Sequence, residues 1–392
     1  MAKRWIIAGG GTGGHVTPAL ALGEAIKSRG DSVLFIGSAR GLESKLVPNA
    51  GFELETLPSQ QVMGRSLIGR LRGALSILYS VIPASRAIRR FRADAVISVG
   101  GYAAMPTALA ARLTGRPLFL VEPNAHPGRV NRLTARFART VFVGFESARR
   151  FLPRHTETIC LGVPLRRVLL RTFDGQGEDA RSPSTPLRIL VFGGSQGARQ
   201  LNECVPEALM RLSPNTIDVF HQTGEADREA VTQRYANAGI AAEVDAFERN
   251  MATRYRWADL AICRAGALTV AELALVGMPA LLAPYPFAAD DHQAANARAL
   301  EEVGAARRLA TRPLDVPALA QTIAEFVQTP TRLLPMREAA RSLARPDAAT
   351  AIIETCLARL AGRSTGVEST PKAARPHNST NETEDESPCS AS

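Results

Sequence analysis

Aromatic side chains are scarce in this 392-residue chain, at 5% of the total. The five cysteines, Cys160, Cys204, Cys263, Cys356 and Cys389, are odd in number, scattered and never in a Cys-x-x-Cys pair. That pattern excludes a disulfide framework or zinc knuckle and fits a reducing cytosol. Few aromatics for base stacking and no RNA-binding motif argue against a nucleic-acid ligand. No stretch approaches the ~20 apolar residues of a membrane span, and the amino terminus enters an apolar run directly rather than a signal peptide. A soluble protein is expected. An internal Asp-x-Asp pair is also missing, so neither a metal nor another cofactor is predicted.

What is present is basic and uneven. The net charge is +10. Residues 1–163 hold 22 Lys and Arg against 9 Asp and Glu, a balance of +13, and the remainder holds 25 against 28, or −3. A basic half joined to a mildly acidic one suits a phosphorylated substrate, an anionic membrane surface or nucleic acid.

The chain is organised around Gly9-Gly10-Gly11-Thr12-Gly13-Gly14-His15, which follows the apolar run Trp5–Ala8 and precedes a helical pattern. A strand-to-helix turn of bare backbone offers N–H groups and a positive helix end to an anion. Gly9, Gly11 and Gly14 match a dinucleotide fingerprint, which also needs an acid at the end of the second strand. Val33–Ile36 runs instead into Gly37-Ser38-Ala39. The turn is therefore read as a phosphate or diphosphate cradle with a titratable imidazole at its lip.

Further strands are predicted at 95–99, 118–121 and 140–143, alternating with helical patterns, as in a doubly wound parallel sheet. After a polar, Gly/Ser/Pro-rich stretch at 174–186 a second cycle begins. Leu187–Phe192 leads into Gly193-Gly194-Ser195-Gln196-Gly197-Ala198, with later strands at 217–220, 243–247, 260–263, 280–283 and 306–309. The reading is α/β, two Rossmann-like parallel-sheet domains facing a cleft. The domains are 1–163 and 164–345, followed by a helix at 346–361 packing back on the first domain and a disordered tail at 362–392.

Two segments of the second half carry chemistry. In Cys263-Arg264-Ala265-Gly266-Ala267-Leu268-Thr269-Val270-Ala271-Glu272, a turn and helix start present free N–H groups, and Glu272 could accept two hydrogen bonds from a ribose diol. The plain alternative is a capping box of Thr269 and Glu272. In the proline-stiffened loop 284–293, His292 and Gln293 could hold sugar hydroxyls, or His292 could be a solvated loop residue behind an Asp N-cap.

Taken together, the motifs at 10–15, Gly100-Gly101-Tyr102, Glu122-x-Asn124-x-x-Pro127-Gly128, 193–199, Arg264-x-Gly266-Ala267-Leu268-Thr269 and Asp291-His292-Gln293 occur in one order. In that order the chain resembles the MurG family of bacterial N-acetylglucosaminyltransferases, over roughly residues 4–360. The resemblance implies a GT-B type glycosyltransferase that moves N-acetylglucosamine from UDP-N-acetylglucosamine (UDP-GlcNAc) to lipid I, making lipid II on the cytoplasmic face of the cell membrane. It implies that Ser195 and Arg166 serve the diphosphate, that backbone at Glu248 reads the uracil, and that Glu272 holds the ribose. Ala267, Leu268, Thr269, Val270 and Ala271 would line the donor, with His292 and Gln293 on the sugar. Thr12, Gly13, Gly14 and Asn124 would face the cleft from the first half, with Tyr102 and Glu122 on the acceptor side. The chain departs from the family at Val121-Glu122-Pro123-Asn124 and Gly162-Val163-Pro164-Leu165-Arg166, which lack amide side chains found there.

His15 is the candidate catalytic base, since imidazole titrates near neutrality and a helix N-terminus disfavours its charged form. Its plainer role is to cap the helix or bind substrate. Seven arginines between Arg65 and Arg92, with no acid among them, interleave with Leu67, Ile68, Leu71, Leu75, Leu78, Tyr79, Val81 and Ile82. This is read as an anionic-membrane face, or simply as core. A UDP-sugar epimerase, or a transferase of the same fold with another acceptor, would share the donor half.

Overall fold

The computed structural model describes residues 2–58, 67–174, 182–194 and 197–362. Among these, two parallel sheets follow one another along the chain. The first contains β1 (Arg4–Gly9), β2 (Ser32–Ser38), β3 (Glu53–Leu57), β4 (Ala95–Gly100), β5 (Leu118–Glu122), β6 (Thr140–Val143) and β7 (Thr158–Cys160). Their spatial order is β3-β2-β1-β4-β5-β6-β7. The second contains β8 (Leu187–Phe192), β9 (Ile217–Gln222), β10 (Ala242–Asp245), β11 (Leu260–Cys263), β12 (Ala280–Leu282) and β13 (Ala306–Arg308), in the order β10-β9-β8-β11-β12-β13.

Every residue of β4 and β5 is buried, as it must be where helices cover both faces of a sheet, and this is why these strands read as unbroken apolar runs. Strands toward the sheet edges lack that signature. Edge strand β3, Glu-Leu-Glu-Thr-Leu, buries only its last residue, and β7 is three residues long.

In each sheet the strand order reverses beside the first strand, between β1 and β4 and again between β8 and β11. A crevice opens at the carboxyl ends of such a pair. The turns that carry His15 and Tyr102 follow β1 and β4. Those at 193–198 and 264–267 follow β8 and β11.

The chain passes between the domains twice, at Gly162–Arg166 and around Leu343–Arg345. The second passage delivers helix Ala348–Leu360 to the first domain, where Ile352, Ile353 and Cys356 are wholly buried in one core with Trp5, Ile7 and Leu20. Burial of each isoleucine contributes roughly 1.5–3 kcal/mol toward keeping that helix docked. No helix among the described residues is long and apolar enough to cross a membrane.

Candidate active site

Helix Gly13–Ser28 starts at Thr12, whose side chain makes no capping bond to the first turn. Its Oγ1 lies 3.1 Å from His15 Nδ1 instead, so the first-turn N–H groups are not closed off by their own cap. When Nδ1–H donates to Thr12, Nε2 is left with its lone pair, as a base requires. Desolvation in the cleft, reinforced by the nearby His292 and opposed by Glu43, pushes the imidazole down to about 4. His15 is therefore neutral at physiological pH. His221 shows the contrast: its Nδ1 meets Tyr235 Oη at 3.0 Å and its Nε2 meets Asn202 Oδ1 at 3.1 Å, which leaves no nitrogen for a substrate.

The first glycine turn holds a carboxylate of its own. Glu43, wholly buried, accepts hydrogen bonds from Gly11 N (2.9 Å), Ser38 N (2.9 Å) and Ser38 Oγ (2.7 Å). A Cβ at Gly10, Gly37 or Gly41 would come within 2.3, 2.6 or 2.0 Å of it, so these glycines make room for the acid. Ser38 Oγ also meets Tyr102 Oη at 3.2 Å, joining the β1, β2 and β4 turns. No acid stands directly after β2 in the sequence, because Glu43 enters from the following helix, Glu43–Asn49. The run of glycines at 37 and 41 was its only trace.

Glu122 ends β5 with a full set of donors: Asn124 N (2.9 Å), Asn124 Nδ2 (3.2 Å), Gly128 N (2.9 Å) and Asn131 Nδ2 (2.9 Å). Burial pushes its carboxyl up and these bonds oppose the rise. Asn124 in turn meets the second domain. Its Oδ1 accepts from Asn296 Nδ2 at 3.2 Å, while Asn296 Oδ1 accepts from Ala125 N at 2.8 Å and Asn296 Nδ2 also donates to Ala265 O at 3.1 Å. Asn296 is wholly buried and clasps the two domains together; one asparagine within a helix gives no sequence signal of this. Arg132 and Asp290 make a second crossing at 3.4 Å.

In the second domain, helix Ala267–Val276 has Gly266 as its N-cap and no side-chain cap bond. Thr269 and Glu272 thus do not close a capping box. Glu272 Oε2 accepts from Tyr255 Oη at 2.8 Å. Desolvation raises this carboxyl to about 7, which the tyrosine only partly offsets. Arg264, buried after β11, donates to Ala283 O, Pro284 O and Gln200 Oε1 (2.9, 3.2 and 3.2 Å), binding the two glycine-turn regions to the β12 loop.

Gln293 Oε1 accepts from Tyr285 N at 2.8 Å, and His292 opens helix His292–Glu302 behind Asp290 and Asp291, both at φ 53°. Two successive non-glycine residues at positive φ represent strain stored beside the cleft. Glu248 is turned onto its own segment, accepting from Asn250 N (2.6 Å) and Arg254 Nε (2.7 Å), which leaves its side chain occupied. Arg166 lies at the hinge, its Nε 2.6 Å from Glu24 Oε1. Ala267, Leu268 and Thr269 form the first turn of their helix, and Val270 and Ala271 in the next turn line a cavity beside the hinge. Ser195 falls outside the described residues.

A neutral imidazole in one domain thus lies near His292 across a clasped cleft, and the other domain holds a carboxylate with spare acceptor capacity and an uncapped helix start. Comparison with known proteins agrees. The glycosyltransferase family 28 N-terminal domain matches residues 5–143, and the family 28 C-terminal domain matches 188–352. The chain belongs to glycosyltransferase family 28. Within family 28 it is 45% identical over 351 residues to a protein of Halorhodospira halophila, covering 89% of this chain and 96% of that one. It is 41% identical over 355 residues to one of Geobacter metallireducens, covering 90% and 97%. Both are named UDP-N-acetylglucosamine–N-acetylmuramyl-(pentapeptide) pyrophosphoryl-undecaprenol N-acetylglucosamine transferase. Among solved structures, Acinetobacter baumannii MurG superposes with a TM-score of 0.74 at 33% identity, over 90% of this chain and 98% of that one.

Proposed function

We propose that this chain transfers N-acetylglucosamine from UDP-GlcNAc to the 4-hydroxyl of the N-acetylmuramic acid of lipid I, the undecaprenyl-pyrophosphoryl-MurNAc-pentapeptide, and so makes lipid II. The observation that carries this reading is the likeness, at 41% and 45% identity over 90% and 89% of this chain, to relatives named for that transfer. In direct displacement the acceptor oxygen attacks the anomeric carbon, its proton passes to His15 Nε2, and the UDP diphosphate leaves with the electron pair of the broken bond. A base near 4 holds a proton poorly, but a diphosphate bound beside it favours the imidazolium and raises that value as the reaction proceeds.

The departing charge meets the N-terminus of helix Ala267–Val276 and the loop of Ser195, with Arg166 acting from the hinge. Glu272 accepts from the ribose hydroxyls, and backbone at Glu248 reads the base. Gln293 and His292 hold the sugar with Thr12, Gly13 and Gly14. Asn124 reaches it when its bond to Asn296 is exchanged. Tyr102 and Glu122 shape the acceptor side.

The membrane reading draws support from helix Leu67–Phe91. Leu75, Leu78, Tyr79 and Ile82 are 56%, 60%, 68% and 54% exposed, while Val81, Ala84, Ala87 and Ile88 are buried. Spacings of three and four put the exposed set on one face, which continues into exposed Arg86 and Arg89. Arg65 lies outside the described residues. An apolar stripe beside cations suits peripheral attachment to an anionic, cytoplasmic-face membrane carrying the lipid acceptor.

The test is incubation with labelled UDP-GlcNAc and lipid I. A labelled disaccharide lipid is the expected product. Free sugar, an epimerised donor or transfer only to another acceptor would overturn the assignment.

A further inference from the structure

Behind the Asn124–Asn296 clasp, at the hinge end of the cleft, lies a cavity of about 370 Å³, within the range of small-ligand sites. Its walls come from both domains and both passages between them. Cys160 and Val163 line it from the first domain and its exit, Ala274 and Ala299 from helices Ala267–Val276 and His292–Glu302, and Leu343 from the second passage.

Around this apolar waist stand exposed Arg150, Arg298 and Arg345. None of the three makes an ion pair among the described residues. Arg345 donates to the carbonyls of Ser342 (3.3 Å) and Ala344 (2.8 Å), and Arg150 lies 4.7 Å over the ring of its neighbour Phe151. Of the two lining carboxylates, Glu146 is paired with Arg149, which leaves Glu302 against three guanidinium groups.

We propose that this cavity binds a single-chain amphipathic anion, with the chain against Val163, Cys160, Ala274 and Ala299 and a carboxylate or phosphate head among Arg150, Arg298 and Arg345. A ligand touching both domains favours the arrangement in which both walls are present. Helix His292–Glu302 transmits this, since Asn296 enters the clasp while Ala295 and Ala299 face the cavity. Occupancy therefore holds the clasp shut and slows product release, so kcat falls without competition against the sugar donor. That kinetic consequence rests on the proposed transferase activity; binding does not.

Cys160 supplies the reporter. In a C204S/C389S background the other two thiols, Cys263 and Cys356, are wholly buried, so iodoacetamide reads Cys160. Decanoate or decyl phosphate, at several times its dissociation constant, slows alkylation about fivefold. Decanol and decyltrimethylammonium have little effect. Comparison of the two anions separates a fatty-acid source from a lipid phosphate. Arg298→Glu with Arg345→Glu weakens protection about tenfold, and Ala299→Trp, which fills the cavity, removes the calorimetric heat of decanoate binding while the melting transition is retained. No protection by either anion, equal protection by all four amphiphiles, or unchanged decanoate binding in A299W would overturn the proposal. Should the sugar transfer prove different, the alkylation and calorimetry still decide the site.

Discussion

Each domain sets a glutamate next to a glycine turn, wholly buried at Glu43 and half-buried at Glu272, and the two acids stand in opposite conditions. Glu43 receives three donors, one of them the Gly11 N–H of the turn itself. Among the described residues Glu272 receives only the Tyr255 hydroxyl, and its carboxyl is raised to about 7. A carboxylate with every donor supplied by its own fold is part of the scaffold. One left short keeps acceptor capacity for a ligand, at a cost in folding. The same secondary plan thus yields a fully bonded acid beneath the His15 turn in one half and an acid with acceptor capacity to spare in the other.

The largest effect that would test this division lies at His15. His15→Ala lowers turnover by ~10² or more while the donor dissociation constant barely moves; single-turnover kinetics with separate donor titration measures both, and normal turnover would end the catalytic role. Glu43→Ala, by contrast, strands buried donors and lowers unfolding free energy by ~3 kcal/mol in urea, with UDP affinity of the folded fraction unchanged. If Glu43 instead touched the nucleotide, affinity would fall with stability.

Glu272→Ala reverses the pattern, weakening UDP binding by ~10–100-fold with little loss of stability. The sign with pH follows from the raised carboxyl. Glu272 is ionised above about 7 and protonated below it, so UDP affinity declines as pH falls through 7, and Glu272→Gln flattens that dependence in calorimetric titrations. Linkage runs the other way for folding: the folded protein holds this proton more tightly than the unfolded chain, so the contribution of Glu272 to stability is full below the ordinary carboxylate range and is lost as pH rises through about 7.

Asn296→Ala leaves Ala125 N and Asn124 Oδ1 without their partner, costing ~1–3 kcal/mol, and hydrogen exchange should report faster opening at Ala125. The smallest effect per site belongs to the outer face of helix Leu67–Phe91. Leu78→Glu with Ile82→Glu should reduce flotation with anionic liposomes roughly tenfold and leave transfer to a water-soluble acceptor unchanged. Full flotation would place the membrane contact elsewhere.

The parallel sheets were legible because helix-covered strands must be apolar throughout, as in β4 and β5, and the glycine turns because only bare backbone fits there. Strands β3 and β7 were not, since β3 alternates acids with apolar residues and β7 is only three residues long, so neither leaves an apolar run. Helix Leu67–Phe91 could be read as core or as membrane face from its composition, and burial divides it: Val81 and Ile88 point in, Leu78 and Ile82 point out. Glu43 and Asn296 left almost no trace, because each acts on groups distant in the chain.

Local chemistry, carried by consecutive residues, determined from sequence alone that two turns would present backbone N–H groups, that His15 would stand at the lip of one, and that Glu272 would follow the other by five residues. Tertiary structure alone decided which acid is satisfied and which is short of donors, that Asn124 is clasped by Asn296, and that a cationic cavity lies at the hinge. Those outcomes depend on desolvation and on partners up to 172 residues apart, and neither quantity is encoded in any local run of the chain.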